Sequence, residues 1–198
     1  MKITARSLFF IFLAGLPLFA QQNTADPVAV LRAPGWNKGI FVGGSQSFAN
    51  SFSAQTALAG VRVGKVLSHQ HGSNALRGSF EAAIDIIPIN EFWISGHPQY
   101  AAAINPLIGK WNFTAGKTLS PYIAAVGGIV FSPSNLPPGD TSQVNFTSGA
   151  ELGAQWFHSS KNSINFAVKI YHLSNASIGN LNPGINGAVQ FMAGYTWH

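Results

Sequence analysis

From Gly39 to its last residues the chain is written in stretches where apolar side chains recur at every second position, separated by clusters of Gly, Pro, Asn and Ser. Strand side chains alternate faces with a period of two, so each stretch reads as a strand with one apolar face. Eight such segments follow one another: Gly39 to Phe48, Thr56 to Leu67, Leu76 to Ile87, Tyr100 to Phe113, Pro121 to Phe131, Val144 to Phe157, Ile164 to Ser174 and Ala188 to Trp197. Each is near the roughly 9 to 11 residues that a tilted strand needs to cross the hydrocarbon layer, or somewhat longer. Beyond the first twenty residues no apolar run approaches the roughly 20 residues of a spanning helix. If the chain crosses a bilayer it does so as a closed barrel, the other architecture that satisfies every backbone polar group.

Charge content points the same way. Charged residues are 9% of the chain, against about 25% in an ordinary soluble domain. The side chains opposite the apolar faces are the charged ones: Arg62, Glu81, Asp85, Lys110, Glu151 and Lys169 fall on inner faces once Val61, Val63, Phe80, Ile84, Ile86, Phe146, Leu152 and Trp156 are set outward. An eight-stranded barrel has just enough room for its own side chains, so three acids and three bases predict a paired polar plug and no open channel. A lipocalin-like carrier would want a wide apolar interior instead.

The connections differ in kind. Ala115 to Ser120 and His158 to Asn162 are short, whereas Pro88 to Gln99, Ser132 to Gln143 and Asn175 to Gly187 are expected as long loops on the opposite rim, the division seen in outer-membrane barrels. Ser68 to Asn74 is longer than that rule predicts. At the N-terminus, Lys2 and Arg6, the apolar Leu8 to Leu18, and Leu18-Phe19-Ala20 before Gln21 read as a cleaved export signal. Residues 1–20 are then the signal and 21–198 a single barrel domain. Without Lys2 and Arg6 there remain 9 basic and 6 acidic residues, and no clustered basic stripe that would suit nucleic acid. The chain has no cysteine, which excludes disulfides, thiolate metal sites and a cysteine nucleophile.

His172-Leu173-Ser174-Asn175, followed by Asn182-Pro183-Gly184-Ile185-Asn186, carries the chemistry. His172 and Ser174 share a face with Ile164, Phe166, Val168 and Ile170, so a base and a hydroxyl stand on the greasy side of a strand, near its end. That suggests a lipid substrate. The same residues are also ordinary turn chemistry, since Ser-Asn and Asn-Pro-Gly favour turns. His69-Gln70-His71 reads as a solvated turn in preference to a metal pair, having no carboxylate nearby. The last strand sets Val189, Phe191, Ala193, Tyr195 and Trp197 on one face, similar to the terminal aromatic strand of bacterial outer-membrane proteins, with His198 where an aromatic residue often closes the chain.

His172-x-Ser174-Asn175, a loop, Asn182-x-Gly184-Ile185 and a final aromatic strand resemble the PagL-type lipid A 3-O-deacylases, which are outer-membrane barrels. The resemblance implies an all-β, eight-stranded antiparallel transmembrane barrel. It implies an esterase that removes the acyl chain at the 3 position of lipid A, without metal or cofactor, in the bacterial outer membrane. Ser174 matches the nucleophile and His172 the base, while Asn175 and Asn182 match residues that help bind the oxyanion. Where the family pattern has a glutamate to orient the histidine, this chain has Asn186. An amide can hold the imidazole through a hydrogen bond but supplies no negative charge to the imidazolium. Two outcomes therefore stay open: an esterase whose third member is Asn186, and a binding or structural barrel that keeps the motif without catalysis. The partner expected is lipid A or lipopolysaccharide of the outer leaflet; assembly as a homodimer is left open. Asn186 is also out of step with Phe191 unless the strand bulges at Gly187, a device common at barrel rims.

Overall fold

A computed structural model of the protein describes residues 26–50 and 52–198; the expected export signal lies outside them. Eight strands, β1 Gly35–Ser47, β2 Ala54–Val66, β3 Gly78–Ile94, β4 His97–Phe113, β5 Leu119–Phe131, β6 Val144–Ser159, β7 Asn162–Ser174 and β8 Ile185–Trp197, form a closed barrel in chain order. Every neighbouring pair is antiparallel, and β8 closes on β1, with Lys38 opposite Trp197 and Ser47 opposite Ala188. Closure leaves no edge, so each strand's ladder groups find partners within the sheet.

One stretch departs from the sequence expectation. Pro88 to Gln99 is not a long loop: β3 and β4 continue through it and meet in a two-residue turn at Ser95-Gly96. Both turn residues have positive φ, 51° and 86°, the mirror-image hairpin geometry that follows strand twist and that glycine adopts without strain. Proline suggested a break, but the sheet places Pro88 in a register shift between Ile87 and Asn90, and Pro106 in another between Ile104 and Leu107. A bulge is where a strand tolerates a residue that cannot donate a hydrogen bond.

Inside, three layers follow from the inward positions. At the rim that carries both ends of the described chain, a short 3₁₀ helix, Pro27–Arg32, inserts Val28 and Leu31 against Val66 and Phe157. Its Arg32 donates to the carbonyl of Thr114 at 3.2 Å and pairs with Asp26 at 2.6 Å. This cork was not anticipated from the sequence, because six residues are too few for a periodic signal. The middle layer is the polar plug. Arg62 forks onto Asp85 at 2.7 and 3.0 Å and reaches Glu151 at 3.2 Å, while Lys110 meets Glu81 at 3.2 Å. Asn37 and Asn112 donate to the two oxygens of Glu81, and the Tyr122 hydroxyl donates to Glu151 at 2.6 Å. At Gly153 the phenol of Tyr122 occupies the place a Cβ would take, so the plug depends on the missing side chain. The third layer, toward the other rim, is apolar: Leu58, Ile87, Phe92, Ile94, Leu173 and Ile185 pack around Leu136, which dips in from the connection between β5 and β6.

The outer face carries Val61, Val63, Phe80, Ile84, Ile86, Leu152, Phe166, Val168, Ile170 and Phe191, all exposed, as the face assignment requires. An apolar face turned outward around a salt-bridged interior is a soluble protein inverted, and hydrocarbon is the solvent it suits.

Candidate functional site

Chain continuity along β7 sets the first two residues. Ala167, Lys169, Tyr171 and Leu173 are buried in the barrel, while Phe166, Val168 and Ile170 face out. By the same alternation His172 and Ser174 face out, half-buried at the strand's end. Their Cα atoms are roughly 7 Å apart along a strand that rises about 3.3 to 3.4 Å per residue.

The third residue arrives through the expected bulge. Tyr171 pairs with Ala188, but Leu173 pairs with Ile185, so His172 alone faces both Asn186 and Gly187. The extra residue changes the phase of β8 at its start. Asn186 is exposed, as Phe191 is farther along, while Gly187 and Ala188 are both buried. Outer-face chemistry from β7 and β8 is thereby gathered at one rim. Among the described residues the hydrogen bonds of histidine rings are those of His158 and His198, and none joins His172 to Ser174 or Asn186.

Bracing from a third element holds the bulge. The side-chain amide of Asn50, in the connection between β1 and β2, donates to the Gly184 carbonyl at 3.0 Å and its Oδ1 accepts from the Asn186 N–H at 3.0 Å. Phe48 donates its N–H to the Gly187 carbonyl at 3.0 Å. Gly184 takes φ +53°, and a Cβ there would meet the Leu173 carbonyl. Glycine is needed at this point because the backbone turns in the left-handed region against β7.

Asn175 and Asn182 come together in the loop between β7 and β8. Asn175 is almost fully buried. Its side chain donates to the Leu181 carbonyl at 2.8 Å and accepts from the Ser177 N–H at 2.9 Å, and its own N–H donates to Asn182 Oδ1 at 3.1 Å. Both groups of the Asn175 amide are thus spent on shaping the loop. Asn182 is exposed and accepts through its oxygen only in that bond, which does not engage its NH2. A second loop, from β5 to β6, clamps the first: Asp140 accepts from Asn180 Nδ2 and from the Leu181 N–H, both at 2.9 Å.

Two neighbours, Ser148 and Asn50, were not singled out from the sequence. Ser148 on β6 stands opposite His172, and Phe146 opposite Ser174, so the imidazole is flanked by Ser148 on one side and Asn186 on the other. Asn50 and Asp140 act from remote loops. Strand register and loop packing reveal all of these, and neither has a local signature. Glu91, another carboxylate near this end of the barrel, lies on β3 opposite Ala57 and Tyr100, away from β7. At the far rim His71 forms an isolated bridge with Gly78. There too, His198 packs on Phe157 with its Nε2 3.0 Å from Ser163 Oγ; burial, helped by nearby Lys110, pushes its pKa down to about 4.

Residues 67–196 match the family of lipid A 3-O-deacylases (PagL). The chain belongs to that family. The matched stretch runs from the end of β2 almost to the end of β8 and contains all five candidate site residues. No curated protein matches the chain. Among solved structures, the outer membrane enzyme PagL is similar at 17% identity and a TM-score of 0.50, over 79% of this chain and 97% of that one. The N-terminal barrel domain of Pseudomonas aeruginosa OprF matches at 14% identity and TM-score 0.46, covering 81% and 96%, and Neisserial surface protein A at 12% and 0.49, covering 82% and 96%. At these identities PagL shares the fold, a closed outer-membrane barrel, and membership of its family locates this chain in the bacterial outer membrane.

Proposed function

We propose that the protein is an outer-membrane esterase that removes the ester-linked acyl chain from the 3 position of lipid A, with Ser174 as nucleophile, His172 as base and Asn186 as the residue that orients the imidazole. The observation that carries this reading is the β8 bulge: in a member of the deacylase family, it returns Asn186 to the lipid-facing side, against His172. A bulge that served only closure would have no need to add a third polar side chain, Asn186, to the face that already bears His172 and Ser174, where polar groups are costly.

With the chain ends at the periplasmic rim, as in outer-membrane barrels generally, β7 ends in the outer leaflet. His172 takes the proton of Ser174 Oγ as that oxygen attacks the ester carbonyl. The tetrahedral intermediate collapses when the imidazolium returns the proton to the departing sugar oxygen. Water, activated by the same imidazole, then releases the fatty acid from Ser174. The Asn182 NH2 is the donor for the oxyanion, and Asn175 holds Asn182 in place; one such donor is worth about 2.7 to 4 kcal/mol where it has been tested. Asn186 Oδ1 accepts from the imidazole Nδ1–H and fixes the tautomer that leaves Nε2 free for Ser174.

The test is incubation of the refolded protein with lipid A in mixed micelles, with fatty-acid release followed by mass spectrometry beside Ser174→Ala. Release that vanishes in the variant supports the reading. Equal release from both removes Ser174 as the nucleophile, and none from either while the barrel is folded favours the non-catalytic barrel.

A further inference from the structure

The charges of this barrel are sorted by height. The rim with the chain ends carries six cations, Arg32, Lys38, Lys65, Arg77, Lys117 and Lys161, and one acid, Asp26. The interior holds three of each sign, largely paired. The rim around Ser174 carries Glu91 and Asp140, and its segments 47–54, 90–100, 131–144 and 174–186 contain no Lys or Arg. What those segments offer beside the site is a neutral collar, in which Ser177, Asn180 and Asn182 are exposed while the Asn50 amide is spent on the β8 bulge and Asn186 faces His172. The Asp140 carboxylate is held at 2.9 Å from Asn180 on the loop that follows Ser174, so an anion arriving there meets a fixed negative charge.

Phosphate groups are recognised by guanidinium forks, ammonium groups or converging backbone N–H donors. Sugar hydroxyls are matched by neutral amides and hydroxyls, which both donate and accept. From this collar and this sorting of charge, we infer that the lipid taken by the site has an uncharged sugar headgroup next to the scissile ester, as in lipid A stripped of its phosphates. This rests on the esterase reading for its ester but not for its headgroup. A phosphate within about 8 Å of Asp140 in water at low salt is disfavoured about twofold, and the effect fades once the Debye length falls below that distance.

The experiment compares lipid A carrying both phosphates with the same lipid A after both are removed, in neutral-detergent micelles at low salt with no divalent cation. Deacylation is followed on the native protein, and lipid retention on Ser174→Ala by native mass spectrometry. The expected result is a two- to fivefold preference for the dephosphorylated lipid in both measurements, shrinking toward unity in 0.5 M salt. Ile178→Lys, a change at an exposed loop position that adds a cation beside the site, is expected to abolish or reverse the preference while leaving turnover of the dephosphorylated lipid within about twofold. Equal or stronger processing and retention of the phosphorylated lipid by the native chain overturns the inference. If neither lipid, nor a short-chain nitrophenyl ester, is hydrolysed, the esterase reading falls and the retention ratio alone decides the headgroup.

Discussion

Asn186→Glu offers the sharpest test of how the site works. The substitution is structurally tolerated: residue 186 is exposed, and the bond that braces it uses its backbone N–H to Asn50, which a new side chain leaves intact. The carboxylate would stand across the β7–β8 ladder from His172, where opposed side chains have Cβ atoms about 4.5 to 5.5 Å apart. At about 4 Å, a carboxylate and an imidazolium attract by about 1 kcal/mol in water and about 4 kcal/mol at the effective dielectric of a protein surface. Since His172 is half-buried at a rim, the gain lies between those limits. At 1.36 kcal/mol per decade that is about a fivefold to a thousandfold rise in deacylation. The assay is initial-rate fatty-acid release from lipid A micelles by the native protein, Asn186→Glu, and Asn186→Glu with Ser174→Ala. A folded Asn186→Glu barrel no faster than the native one would refute the placement of residue 186 behind His172. Activity surviving in the double variant would refute Ser174 as the nucleophile.

Other consequences are equally open to measurement. Arg62→Met leaves Asp85 and Glu151, 3% and 1% exposed, buried without their shared cation, and should destabilise the barrel by about 3 to 5 kcal/mol in urea unfolding followed by tryptophan fluorescence; adding Asp85→Asn and Glu151→Gln should recover most of the loss, and a shift below about 1 kcal/mol would argue against the plug as a stabilising network. Asn50→Ala removes two of the three hydrogen bonds that brace the β8 bulge and should lower deacylation about ten- to a hundredfold with a much smaller change in unfolding midpoint; parallel losses would mean Asn50 only holds the fold. His198 should titrate near 4 by NMR in micelles. Because its folded pKa lies below the ordinary 6.5, the unfolded chain takes up a proton first as pH falls, so this histidine subtracts stability progressively between pH 6.5 and 4 and no further below; a midpoint near 6.5 would show that its contact with Phe157 is not made.

The barrel was legible in the residues because period-two alternation is a local property and eight repeats of it leave few alternatives. Face assignment was legible for the same reason, and it carried Arg62, Glu81, Asp85, Lys110, Glu151 and Lys169 to the interior before any contact was known. Even the bulge at Gly187 could be anticipated, since Asn186 and Phe191 cannot share a face without an extra residue. Pro88 and Pro98 misled, because a proline that ends a strand and one accommodated within a sheet look alike until the partner strand is in place. What the sequence alone determined, then, is the inverted barrel and the strand face that bears His172 and Ser174, both consequences of alternation along a single chain. Only the tertiary structure decided that Asn186 stands against His172, that Asn50 and Asp140 hold the loops, and that Ser148 flanks the imidazole. Those facts depend on register between strands and on the packing of one loop against another, which no single segment encodes.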